Sequence, residues 1–333
     1  MDELKSITRY LLPLPPKSPD GRDQWPSRTA FLLAATGGCA GIGNLLLYPS
    51  QVFDNNGLQW FIPYDMCVFL IVIPVLILEI AIGQAYRGGC VIAKNSIHHR
   101  LKGVGLSLLY VGFVVSPYFA ANLAWIMMYF PSSFQSPLPW EGRGDAFFYE
   151  DVVANVEPVP GNSSADGKEV IKYTSNQGVG MIGETVGWTV FTWFLVWVSI
   201  FHGVGLTGRA VYFTMGLPIV ITVVLIGQSL SLENASQSFK LFWATWNGDK
   251  LGSGEIWQTA CGQVFFSTGV GFGYFTSYAS YNQKYSNAVM DYILIVSSNF
   301  LFENIAAFAV YGVAGSAVPP GRCSPWQLHR WFQ

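Results

Sequence analysis

Long stretches without a charged side chain dominate the sequence. They cover residues 29–53, 103–140, 210–232 and 256–283, each at or beyond the roughly 20 residues a helix needs to cross about 30 Å of hydrocarbon. Three further apolar stretches are less clean: 58–86 carries Asp65 and Glu79, 185–201 is short, and 288–315 carries Asp291 and Glu303. The pattern predicts an all-α membrane protein with seven spans, at about 29–53, 58–86, 103–131, 185–201, 210–232, 256–281 and 288–315. A polar segment over 1–28, a long loop over 132–184 and an atypical tail over 316–333 complete the expected layout. Composition agrees, with 51% hydrophobic and 11% charged residues against roughly 25% charged in soluble domains. The first 24 residues are polar and Pro-rich without the apolar core of a signal peptide, so the first span is expected to anchor the chain.

Lysine and arginine set the expected orientation. Lys5, Arg9, Lys17, Arg22 and Arg28 precede the first span, and Arg87, Lys94, Arg100 and Lys102 lie between the second and third. This places the N-terminus in the cytoplasm, with the plasma membrane the expected location, and puts 132–184 outside. The sequons at Asn162 and Asn234 both fall on the outer side, so both asparagines are candidate glycosylation sites. A seven-helix receptor, suggested by the span count alone, is disfavoured by the same charges, because such receptors place the N-terminus outside.

Catalytic chemistry has no visible carrier. The five cysteines form an odd set absent from the long outer loop, and no GxSxG, HExxH or P-loop pattern occurs. Neither an enzyme nor a nucleic-acid partner is expected; the lipid bilayer is.

Two spans contain backbone that a lipid-exposed helix should not have. Ala40-Gly41-Ile42-Gly43-Asn44 interrupts the first, and Ser267-Thr268-Gly269-Val270-Gly271-Phe272-Gly273 interrupts the sixth. At membrane depth an unpaired amide costs several kcal/mol, so irregular backbone survives only where protein buries it or it lines a polar cavity. Paired discontinuous helices facing a central site are the signature of inverted-repeat transporters. Close helix packing through small residues is the alternative use of these glycines, but packing does not call for Asn44 or Ser267 beside them.

At these residues the chain resembles the neurotransmitter:sodium symporter family. The resemblance runs through Trp25 and Arg28, Gly41-Ile42-Gly43-Asn44, Tyr48-Pro49, Ile62-Pro63-Tyr64, Glu79 and Gly83-Gln84. It continues through Trp125, Gly208-Arg209-Ala210, Gln263-Val264-Phe265-Phe266-Ser267, Gly271-Phe272-Gly273, Ala279-Ser280-Tyr281-Asn282, Asp291 and Asn299. It implies a broken-helix fold of twelve helices in two inverted five-helix repeats, of which this sequence carries about seven. It also implies sodium-coupled transport of an amino acid or related amine-containing solute by alternating access.

The resemblance assigns one sodium ion to the carbonyl of Cys39 with Asn44, Ser267 and Asn299, and a second to the carbonyls of Gly37 and Ala40. These are the hard oxygen ligands such a cation requires. Solute is implied near Gly41, Ile42, Gly43, Phe119, Phe266, Gly269 and Phe272, and an inner gate at Arg22, Trp25 and Tyr281. Gly41 stands where monoamine carriers have an aspartate, which favours an amino acid over a monoamine. Phe119 replaces the tyrosine that meets the carboxylate in amino-acid carriers, and Leu47 replaces the arginine of the outer gate. For Asn299 a plain helix-to-helix hydrogen bond, and for Phe266 and Phe272 ordinary core packing, are the alternatives. Glu303, one turn beyond Asn299, stands where chloride-dependent members have serine. With Tyr64, Gln263 and Ser267 around it, this carboxylate resembles the charge that makes other members chloride-independent; a boundary position or a salt bridge is the alternative reading. An intramembrane carboxylate is a functional candidate in its own right. The family pattern fades after Gly315, so a transport-inactive fragment or a regulatory subunit is the alternative to a working carrier.

Overall fold

The computed structural model describes residues 15–41, 43–55, 57–154, 156–163, 169–173, 182–232, 246 and 248–316. They fall into two compact units, residues 1–111 with 202–333, and residues 112–201.

In the first unit, α1 (Arg28–Cys39) starts where Ser27 accepts the amide of Ala30 at 3.0 Å, a serine cap that satisfies one of the free amides of the first turn. After the break come a π-helical turn, Gly43–Leu47, and α2 (Tyr48–Asp54). The two halves are bent by 52°. The next stretch, Leu58–Tyr86, is continuous and strongly apolar. It contains α3 (Phe61–Cys67), a π-helical turn over Val68–Val72, and α4 (Ile73–Tyr86). A short α5 (Cys90–Ile97) leads to α6 (Lys102–Ser132), whose later part belongs to the second unit.

The second unit holds the rest of α6, a two-stranded antiparallel hairpin of β1 (Val156–Ser163) and β2 (Glu169–Tyr173), and α7 (Gly183–Ile200). Its core gathers Met128, Phe147 and Val152, with Trp125, Tyr129, Trp140 and Trp188 packed around them. The hairpin lies in the 132–184 loop, where no regular element is expected from the hydrophobic pattern. Asn162 lies on the β1 backbone, whereas Asn234 is outside the described residues.

The chain re-enters the first unit with α8 (Val204–Leu230), α9 (Gly254–Thr268), α10 (Tyr274–Ala279) and α11 (Ala288–Ser316). By length and composition, four helices among the described residues can cross a membrane: Leu58–Tyr86, His99–Ser132, Val204–Leu230 and Ala288–Ala314. The bent pair of the first span makes a fifth if counted as one. The expected span at 185–201 is not among them: α7 is long enough at 18 residues, but Glu184, three threonines and three tryptophans lower its mean hydropathy. Nor is that at 256–281, where the break divides α9 and α10 into pieces of 15 and 6 residues. On α8 the side chains of Phe213, Val220, Val223 and Val224 stand 60–70% exposed, an apolar surface that suits hydrocarbon and not water.

The core of the first unit forms where α1, α2, α3, α4, α10 and α11 meet, around Phe31, Tyr48, Trp60, Tyr64, Leu76, Ile80, Phe275, Ile295 and Tyr311. One ion pair ties the starts of two helices together. Arg28 donates to Asp291 at 2.8 Å; Asp291 is fully buried and the Arg28 side chain is 51% exposed. Removing the partner of a buried charge typically costs about 3–5 kcal/mol, and screening at the half-exposed guanidinium puts this pair at the low end. Arg28→Ala is therefore expected to lower the melting temperature more than Asp291→Asn, which leaves only an arginine that can turn to water. Thermal unfolding of both variants in nanodiscs checks the order.

Candidate functional site

The break in the sixth span is built from glycine and closed by side chains. Gly269 caps α9 in the left-handed region, at φ 64°, and Gly271 and Gly273 follow at φ 89° and 78°, conformations that glycine adopts without strain. The amide of Gly269 still donates to Phe265 O at 2.9 Å. The orphan carbonyl of Thr268 accepts the hydroxyl of Tyr274 at 2.8 Å and the thiol of Cys39 at 3.4 Å. On the far side of the break the amide of Gly271 donates to Glu79 on α4 at 3.0 Å. Irregular backbone at this depth is thus matched with partners, as burial away from water requires.

The first break faces it. Ala40 adopts an extended conformation, with its amide still bonded to Thr36 O. The amide of Gly41 turns to the side-chain oxygen of Asn44 at 3.4 Å, so the carbonyl of Gly37, four residues back, loses the donor a continuing helix would supply. Gly43 lies directly beneath Phe266: a Cβ there would stand 2.8 Å from the ring. The carbonyl of Gly43 accepts from Gln263 on α9 at 3.2 Å.

Between the breaks runs a chain of polar side chains shielded from solvent. Asn44 donates to Asn299 on α11 at 2.7 Å, and Asn299 donates to Ser267 at 3.0 Å. Ser267 donates to one oxygen of Glu303, and Tyr64 on α3 donates to the other. Exposure is 0% for Asn44 and Glu303, 2% for Asn299 and 3% for Ser267. Glu303 takes part in none of the three ion pairs among the described residues. Its two hydroxyl donors offset part of the burial cost of a carboxylate, but hydrogen bonds alone leave its charge unbalanced. Either a proton on the carboxylate or a monovalent cation beside the neutral amide and hydroxyl oxygens would meet that deficit.

At the end of the unit that carries the N-terminal segment, Arg22 donates to Ser280 at 2.8 Å while its guanidinium lies 4.7 Å from the centre of the Tyr281 ring. The Trp25 indole donates to Tyr278 O at 2.9 Å, and the Trp25 amide to Tyr281 O at 3.2 Å.

Of the residues named from the sequence, Asn44, Ser267, Asn299, Glu303 and Tyr64 form one connected cluster, and Arg22, Trp25 and Tyr281 another. Gln263 turns to Gly43 instead of to the carboxylate. Gly37, Cys39 and Ala40 sit at the C-terminal end of α1, Gly41 and Phe266 are exposed, Phe272 is partly buried, and Ile42 is outside the described residues. Phe119, partly buried, lies on α6 in the second unit. Sequence reading missed the partners of Arg28 and Glu79, and the bond from Tyr48 to Asn304 at 3.2 Å. The only local signal for these was an acid or amide in an apolar run.

The profile of the sodium:neurotransmitter symporter family matches residues 22–318. The chain belongs to the sodium:neurotransmitter symporter family. Among its relatives, the sodium-dependent neutral amino acid transporter B(0)AT1 of Rattus norvegicus is 31% identical over 322 residues, covering 95% of this chain and 49% of the transporter. The sodium-dependent serotonin transporter of Drosophila melanogaster is 30% identical, covering 88% and 49%. The creatine transporter of Torpedo marmorata is 29% identical, covering 91% and 51%. The chain thus spans about half the length of these relatives. The crystal structure of MhsT in complex with L-phenylalanine superposes with a TM-score of 0.74 at 22% identity, over 93% of this chain and 65% of MhsT. That likeness establishes the broken-helix transporter fold. Family membership and the apolar helices make this an integral membrane protein, and its relatives are transporters, not enzymes.

Proposed function

We propose that this symporter-family chain carries the broken-helix half of a sodium-coupled carrier for a neutral amino acid or related small solute. The observation that carries the reading is the buried chain Asn44–Asn299–Ser267–Glu303, in which a carboxylate without a cationic side chain meets neutral oxygen donors. Asn44, Asn299, Ser267 and the carbonyl of Cys39 would hold one sodium ion, and the carbonyls of Gly37 and Ala40 belong to a second. Bound sodium supplies a positive charge that the carboxylate balances and that draws a solute carboxylate. Solute sits between the breaks, beside Gly41, Gly43, Phe266, Gly269 and Phe272; the family resemblance alone adds Ile42 and Phe119 to this list. The amides at the break offer hydrogen bonds to its carboxylate, and Gly41 leaves the amine without a fixed protein charge. A neutral amino acid brings both charges itself.

Glu303 supports transport without chloride, because it places a fixed negative charge beside the cation. The cluster of Arg22, Trp25, Ser280 and Tyr281 closes the end facing the cytoplasm. Seven crossings, a plasma-membrane location, a cytoplasmic N-terminus and glycans at Asn162 and Asn234 complete the reading. Proteoliposomes holding the purified chain test it. An inward sodium gradient is expected to drive accumulation of radiolabelled leucine or phenylalanine, and a potassium gradient is not. Equal accumulation under both gradients, or none under either, contradicts it; the second result is that expected of a transport-inactive relative.

A further inference from the structure

Two helices of the first unit begin at the wall of one cavity. The cavity, about 460 Å³, lies between the segment that leads into α1 and the segment that joins α10 to α11, with Gln24, Ser27, Arg28, Asn282, Ser286 and Asn287 in its lining. Ser27 caps α1, accepting the Ala30 amide at 3.0 Å. Asn287 does the same for α11: its side-chain oxygen accepts the Met290 amide at 3.1 Å, and its carbonyl accepts the Asp291 amide at 3.2 Å. Both helices therefore bring their positive N-terminal ends to this wall. Two side chains add donors. Asn282 is 7% exposed, and its Nδ2 has no hydrogen-bond partner among the described residues, a costly state for a buried donor unless a ligand or water meets it. Arg28 bonds one oxygen of Asp291 through Nε and Nη2, both at 2.8 Å, which leaves Nη1 on a half-exposed guanidinium. Asp291 is fully buried, and its other oxygen accepts the Ser286 hydroxyl at 3.3 Å. Among the described residues no aspartate or glutamate lines the cavity.

We propose that this cavity binds a phosphate group, in the headgroup of an anionic phospholipid or as the free ion. A tetrahedral anion offers several acceptor oxygens to donors that converge from separate elements, and helix N-termini together with arginine suit such a group. Chloride is too small to reach donors spread around a cavity of this size. Tyr212 on α8 puts a lipid within reach: its hydroxyl lies 2.9 Å from Ser27 Oγ, and the next residue, Phe213, stands 70% exposed on the apolar surface of that helix. The cavity thus borders the hydrocarbon-facing surface at a tyrosine, a residue that favours the headgroup level. A phosphate held there bridges the starts of α1 and α11 beside Trp25 and Tyr281, which also line the cavity.

Binding to the purified full-length protein is measured without uptake, so the outcome is separate from that of the carrier function. In one arm radiolabelled orthophosphate is added to the protein in phosphatidylcholine nanodiscs, with ionic strength held constant by chloride. In the other, radiolabelled dioctanoyl phosphatidic acid is added to the same nanodiscs, with dioctanoyl phosphatidylcholine as the comparison. Saturable binding is expected: of phosphatidic acid alone where the site takes a headgroup, of orthophosphate alone where it takes the free ion, and of both where the phosphate group suffices. Asn282→Asp removes the unmatched donor and adds a negative charge. Asn287→Asp adds a negative charge while keeping an oxygen to cap Met290, so α11 retains its start. Each variant is expected to weaken binding by more than about tenfold, since a like charge at close range opposes the anion. Saturable binding of neither probe, phosphatidic acid counting only above phosphatidylcholine, overturns the proposal. Undiminished binding by either variant in folded form overturns it too.

Discussion

On the proposed carrier function, Glu303→Ser is expected to make sodium-driven uptake depend on chloride. In the native chain the carboxylate is fully buried, accepts from Tyr64 and Ser267, and has no cationic side chain in an ion pair. Its charge is therefore available to balance a cation held by the neighbouring amides and hydroxyls. Serine removes the charge and leaves space and two hydroxyl donors, the surroundings that a small anion requires. Without such an anion an uncompensated buried charge costs several kcal/mol, and each ~1.4 kcal/mol is a factor of ten. Uptake by the serine variant is expected to fall by more than about tenfold when gluconate replaces chloride, and to recover when chloride returns. Native uptake is expected to be the same in both salts. A native protein that needs chloride, or a serine variant indifferent to it, contradicts the assignment of Glu303.

Gly83→Ala is the second change with a large expected effect, and it acts on the fold before the site. A Cβ at Gly83 on α4 would stand 2.3 Å from the carbonyl oxygen of Thr276 and 3.0 Å from the Ala279 methyl on α10. The Thr276 carbonyl accepts the amide of Ser280 at 3.1 Å, so it cannot swing aside without breaking the end of α10. The helices must separate, and overpacking of this kind typically costs about 1–3 kcal/mol. Separation also pulls on Glu79, one turn earlier on α4, whose carboxylate holds the Gly271 amide at 3.0 Å. The variant is expected to melt at lower temperature than the native chain. Gly112→Ala, which meets nothing within 4 Å and sits in a helix where alanine is favoured, is expected not to. Equal melting of the two variants contradicts the close packing of α4 on α10.

Much of the site was legible because its chemistry stands out against an apolar background. Glycine clusters beside Asn44 and Ser267, and a glutamate one turn from Asn299, are costly in hydrocarbon unless they serve a site, and the family resemblance tied them together. In the fold Asn44, Asn299, Ser267 and Glu303 are joined by direct hydrogen bonds. The closures were not legible. Thr268 O is capped by Tyr274 and Cys39, Gly271 N by Glu79, and Asp291 by Arg28. Apart from Tyr274, these partners lie far away in sequence and meet only through packing. Gln263 shows the same limit in reverse, because its position suggested the carboxylate while the bend of the first span brings the Gly43 carbonyl closer to hand. The hairpin over 156–173 escaped because two short strands in a polar loop leave little periodicity to read.

Sodium-specific stabilisation of the purified chain tests the central claim most directly. Thermal unfolding in nanodiscs is measured in sodium, potassium and N-methyl-D-glucamine chloride, for the native chain and for Asn299→Ala. Ligand at a hundred times its dissociation constant stabilises by about 2.7 kcal/mol, so the native chain is expected to melt at higher temperature in sodium than in either other salt, and Asn299→Ala to lose that difference. The same melting temperature in all three salts, or a sodium shift that survives Asn299→Ala, contradicts a sodium site built on Asn44, Asn299 and Ser267.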